Sequence, residues 1–192
     1  MRGSALEEVL PRVAEIVADV RERGDAALLD WTERLDGERP ELRVPADRLR
    51  GARLAPGELE ALRALAAAVE RFCTGQRPPD VDVEAVPGIR AERRWVPLRA
   101  VGIYVPGGRA ILPSSLVMAA VPARLAGVER IVVATPRPQE ATLAAASVLG
   151  IDEVLAVGGA QAVAALAYGT ETIRPVDKIV GPGSRWVTAA KL

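Results

Sequence analysis

From Arg99 onward the chain repeats one unit, and this repeat constrains its fold more than any other feature. RAVGIYV reads as a strand closed by PGG, and SSLVMAAVPARLAG as the helix that follows. RIVVA is closed by TPRP and followed by QEATLAAASVLG, and EVLAV is closed by GG and followed by AQAVAALAYG. DKIV is closed by GPGS, and RWVTAAKL begins a last helix. Short, unbroken apolar strands alternating with Ala-rich helices predict an α/β fold whose parallel sheet is covered on both faces. Right-handed crossovers then bring every strand-to-helix turn to one edge of that sheet. Pro122 falls inside the first of these helices and should kink it or start a new one.

The segment before the repeat is helical in pattern. Val9, Val13, Ile16, Val17 and Val20 recur at three- and four-residue spacing, the signature of one apolar helix face. Gly24 breaks this run, and Asp25 is expected to cap a second helix with Leu28, Leu29, Trp31 and Leu35 on its apolar side. Asp36-Gly37 closes it. A third stripe, Leu59, Leu62, Leu65, Val69 and Phe72, ends at Gly75. RPPDVDVEAVPGI is then Pro-rich and extended, and IRAERRWVPLRAVGIYVPGG reads as strand-like.

Composition removes whole classes of function. With 25 basic and 25 acidic residues and 3% aromatics, the chain lacks the basic stripe and stacking platforms expected of a nucleic-acid binder. No apolar run approaches the ~20 residues of a membrane span. The acidic N-terminal stretch does not match a signal peptide, and the single cysteine, Cys73, agrees with a reducing compartment; the expected location is cytoplasmic. Histidine is absent. A His base, a His triad and a His-ligated zinc or iron site are therefore excluded from this chain, and one cysteine cannot build a thiolate metal site.

Ligands of open α/β sheets bind outside the carboxyl ends of the strands. Here that edge carries Pro106-Gly107-Gly108, Thr135-Pro136, Gly158-Gly159 and Gly181-Pro182-Gly183, with Tyr104, Ser114, Ser115, Gln161 and Ser184 as its polar side chains. Glycines let a backbone approach a ligand closely, but they also serve tight turns. Helix N-termini following these turns favour anions. G-x-G-x-x-G is absent from the first turn, and no acidic residue closes the second strand to hold a ribose, so the conventional dinucleotide fingerprint fails. Gln161 either satisfies its own helix start or meets a ligand. Tyr104 either packs in the core with a satisfied hydroxyl or faces that ligand. Trp31, Trp95 and Trp186 are read as packing residues, Cys73 as a small hydrophobe, and Asp177-Lys178 as a solvated pair.

VRERGDAALLDWTERLDG, VGIYVPGGRA, VPARLAGVERIVVATPRP, VLAVGGAQAVAALAYGTETI and VDKIVGPGSRWVTAAK occur in the order and spacing of one family, and over nearly its whole length the chain resembles histidinol dehydrogenase. The resemblance implies an N-terminal helical region with part of a first α/β domain over 1–98. It implies an incomplete Rossmann-like, NAD-side domain over 99–192. It further implies an enzyme of histidine biosynthesis that uses zinc and two NAD to oxidise L-histidinol, via the aldehyde, to L-histidine, as an intertwined homodimer. Carried over position by position, the NAD contacts fall on Tyr104, Gln161 and Ser184. The family turn usually reads GPGN. Serine in its place keeps a hydroxyl but loses the amide's paired donor and acceptor. The family's Glu-His pair and zinc ligands lie beyond this portion, so no catalytic or metal residue is assigned here. The expectation is an N-terminal half that binds NAD and is inactive alone. The alternatives are one chain of a split enzyme completed by a partner half-chain, or a non-catalytic nucleotide-binding or assembly module.

Overall fold

The computed structural model describes residues 6–107 and 113–192. Its element order is α1 (Leu10–Arg23), α2 (Asp25–Asp36), α3 (Ala46–Gly51), α4 (Pro56–Thr74), β1 (Val81–Val86) and β2 (Ile89–Arg93). Then follow β3 (Ala100–Tyr104), α5 (Pro113–Leu125), β4 (Arg130–Ala134), α6 (Glu140–Val148), β5 (Glu153–Leu155), α7 (Gly159–Tyr168), β6 (Lys178–Val180) and α8 (Arg185–Ala190). Strands β3 to β6 form one four-stranded sheet in the order β5-β4-β3-β6. Every pairing in it is parallel, with Gly102 opposite Val132 on one side and Ile179 on the other.

The predicted sandwich is present. All five residues of β3 are buried, as a strand covered on both faces requires. One face, with Val101, Ile103, Ile131 and Val133, packs against Leu62 and Val69 of α4, Leu116 and Val117 of α5, and Leu143 of α6. The other, with Val132, Ala134 and Leu155, packs against Val13, Ile16 and Val20 of α1, Leu28 and Trp31 of α2, and Ala162 and Leu166 of α7. No helix among the described residues is long and apolar enough to cross a membrane.

Several local expectations need correction. Asp25 does not cap α2: Gly24 holds the cap position at φ 56. Asp25 instead accepts a hydrogen bond from Thr172 Oγ1 at 3.0 Å, and its N–H donates to Glu171 at 2.7 Å. A side chain on Gly24 would overlap that same Glu171 carboxylate, so the loop after α7 occupies the space a capping residue would use. Leu35 and Phe72 continue their helical stripes in sequence but are exposed, because the stripes outrun the sheet they cover. Helix α5 runs through Pro122 as one element, so of the two expectations for this proline the start of a new helix does not hold. The Pro-rich stretch is not merely extended: β1 and β2 form an antiparallel hairpin about Pro87-Gly88, where Gly88 takes φ 81. Trp95 and Trp186 are exposed or nearly so, and only Trp31 packs, its indole N–H donating to Asp19 at 2.7 Å. Asp177 is no loose surface pair: its carboxylate accepts the N–H groups of Arg99 and Ala100 at 2.8 and 2.9 Å, pinning the start of β3.

Candidate functional site

The turns after β3, β4, β5 and β6 lie along one edge of the sheet, as right-handed crossovers demand. Gly108, expected on this edge, lies outside the described residues. The glycines there are needed by the turns themselves. A Cβ on Gly107 would stand 1.9 Å from the Pro136 carbonyl oxygen, and one on Gly158 would stand 2.7 Å from the Pro136 ring. Gly181, at φ 111, would bring a Cβ within 2.1 Å of the Tyr104 carbonyl oxygen. Pro136 is thus wedged between the first and third turns, while the fourth lies on the end of β3.

Tyr104 ends β3 and is buried. Its hydroxyl accepts the Gly159 N–H at 3.2 Å, tying β3 to the first turn of α7. Burial pushes the phenol above its ordinary pKa against the pull of that hydrogen bond, and the Asp36 charge adds to the rise. Tyr104 also packs with Val163 of α7 and Val187 of α8, so the helices bearing Gln161 and Ser184 meet on it.

Gln161 is the outlying residue of the edge. It is 1% exposed, and its amide oxygen has no hydrogen-bond partner among the described residues. The side chain folds over the preceding turn: a Cβ on Gly159, itself at φ 68, would lie 2.3 Å from Gln Oε1. The reading in which this glutamine serves its own helix start therefore does not hold for its oxygen. A buried acceptor without a donor costs roughly 1–3 kcal/mol, and here it sits at the positive end of a ten-residue helix. Ser184 occupies the cap position of α8 yet makes no capping hydrogen bond with its side chain, and it is exposed.

The structure adds two groups that sequence reasoning missed. Lys191 Nζ donates to the Gly181 carbonyl at 2.7 Å, closing α8 onto the fourth turn; burial lowers its pKa. Arg137 takes φ 47 in the second turn, outside the usual range of a non-glycine residue. It is held by hydrogen bonding from its guanidinium to the Asp36 carbonyl and by Glu38 at 2.9 Å. No local pattern links positions 36 and 137.

A larger groove of about 770 Å³ lies at the opposite, amino ends of the strands. Its central charges answer one another: Arg130 holds Glu153 at 2.9 Å, and Arg43 holds it at 2.9 Å. Among the described residues no cluster of three metal-ligating side chains exists.

The family model for histidinol dehydrogenase matches residues 1–192. A histidinol dehydrogenase of Gluconobacter oxydans is 46% identical over 99% of this chain and 46% of its own length. One from Methanothermobacter thermautotrophicus is 50% identical over 97% of this chain and 46% of its own. The crystal structure of histidinol dehydrogenase from Elizabethkingia anophelis superposes with a TM-score of 0.90 at 34% identity, over 95% of this chain and 44% of that one. The chain thus spans about half the length of the relatives it matches.

Proposed function

The chain belongs to the histidinol dehydrogenase family, and on that premise we propose that its turn edge is the NAD-binding face of an enzyme that oxidises L-histidinol. The observation that carries this reading is the Gln161 amide oxygen, buried and unpartnered at the start of α7. A nucleotide can supply the missing donor while the α7 N-terminus favours its phosphates. Tyr104 holds the Gly159 amide in place beside it, and the Ser184 hydroxyl, free of a capping bond, remains available to the same ligand. When bound, NAD supplies the hydride acceptor. This chain's own work is to bind and orient it.

Zinc is a different matter. With no histidine in the sequence and no ligand cluster among the described residues, these residues do not fit a zinc site, and no step is derived through the metal. The base and the zinc ligands of the complete reaction are proposed to come from polypeptide other than these 192 residues. Exposed Phe72, Trp95 and Val96 support packing against further polypeptide, in the same chain or in a homodimer.

Titration of the chain with NAD should raise its Tm in a concentration-dependent way, and Gln161→Ala should weaken binding by roughly tenfold. Absence of any NAD response would sink the nucleotide reading. Histidinol-dependent NADH production by these 192 residues alone would overturn the division of labour.

A further inference from the structure

A cavity of about 570 Å³ opens between the end of α2 and the turn after β4, lined by Thr32, Asp36, Arg48, Pro136, Arg137 and Gln139 among others. Its volume lies in the range of small-molecule sites. It is continuous with the turn edge through Pro136, whose ring and carbonyl lie against Gly158 and Gly107.

We propose that Asp36 is the ribose-recognising residue of this edge, accepting the hydroxyl pair of the adenosine half of the dinucleotide in that cavity and disfavouring a 2′-phosphate there. The proposal rests on the NAD reading above and assigns a residue and a specificity to it.

Three observations converge. First, the Asp36 carboxylate is half-buried and accepts no hydrogen bond among the described residues. Burial raises its pKa against the pull of Arg137, and Glu38 adds to the rise. Its oxygens are not closed off but open to the cavity, where vicinal hydroxyls can donate to them, as in other dinucleotide sites. Second, the cavity's guanidiniums are already engaged: Arg137 with the Asp36 carbonyl and Glu38, Arg48 with the Pro138 carbonyl, and Arg43 with Glu153 and the Thr172 carbonyl. Arg48 has no acidic partner among the described residues, but the four carboxylates of the lining, Asp36, Glu38, Glu41 and Glu140, outnumber its three guanidiniums, so an added phosphate meets net negative charge. Third, Asp36 is the last residue of α2, where the helix dipole disfavours an anion. Its carboxylate is therefore a cost to the fold, and its charge reaches the Tyr104 phenol across the same edge.

The test compares the 192-residue chain with its Asp36→Asn and Gln161→Ala variants, titrating NAD, NADP, ADP-ribose and nicotinamide mononucleotide calorimetrically. Asp36→Asn should lose about tenfold to a hundredfold in affinity for NAD and ADP-ribose, leave the mononucleotide unchanged, and narrow the preference for NAD over NADP. Its Tm without ligand should not fall, so the loss is not one of folding. Asp36→Asn binding NAD and ADP-ribose as the parent does, while Gln161→Ala does not, overturns this inference and leaves the NAD reading standing. A parent chain that binds none of the four overturns both.

Discussion

At the scale of the residue, the charged groups of this molecule fall into two kinds. Glu153 is buried, and burial pushes its carboxyl up, but the hydrogen bonds and charge of Arg130, with Arg43 and Arg174 beside it, hold the pKa below the ordinary value. A depressed carboxylate contributes stability that is present above its unfolded pKa of about 4.3 and is lost as pH falls through the folded value. Acid unfolding should therefore be steepest below that point. Glu153→Gln, which leaves Arg130 facing a neutral partner, should cost about 3 kcal/mol in urea unfolding at neutral pH, and the difference should shrink as the pH is lowered. Asp36 is the opposite kind: burial and the Glu38 charge hold its carboxyl above the ordinary value against the pull of Arg137. Gln161 was legible as a candidate because it opens a helix after two glycines; that its oxygen is orphaned is a fact of packing that no local pattern carries. Asp36 read only as a helix terminator, because what matters about it is Arg137 and Pro136, distant in sequence and adjacent in space.

At the scale of the element, the repeat of strand, turn and helix was plain because its signal is local. An unbroken apolar run bounded by glycine and proline has few other uses. The hairpin of β1 and β2 was less plain because its residues answer no core. Val83, Val86 and Ile89 are each at least half exposed, so alternation could not mark an inner face. A two-stranded hairpin alone is marginally stable in water. Backbone amides of Val81–Val86 and Ile89–Arg93 should exchange with deuterium far faster than those of Ala100–Tyr104 and Arg130–Ala134, by about a hundredfold or more. Equal protection of the two sheets would show that the hairpin is held by contacts beyond its own ladder. The helices teach a related lesson. Leu35 and Phe72 obey the helical period and remain in water, because periodicity reports which face is apolar, not how far the partner surface extends.

At the scale of the whole molecule, the N-terminal helices and the parallel sheet share one core. Leu28 of α2 is fully buried in the cluster that holds Val132 and Leu155, so neither α2 nor that face of the sheet is complete without the other. Leu28→Ala should cost about 2–5 kcal/mol. With Trp95 and Trp186 replaced by Phe so that Trp31 alone reports, fluorescence and far-UV circular dichroism should then give the same lowered urea midpoint; separate midpoints would mean that the helices unfold independently of the sheet. The sequence alone determined the parallel α/β architecture, the edge on which the turns gather and the family, since these rest on local periodicity, on the handedness of crossovers and on extended strings of matching residues. It also excluded histidine chemistry from these residues by composition. Only the tertiary structure decided that the edge glycines are required by neighbouring turns, that the Gln161 oxygen has no donor, and that Asp36 borders a cavity against Arg137. Those are relations between distant segments, and burial and hydrogen bonding acquire their energies only once the segments have met.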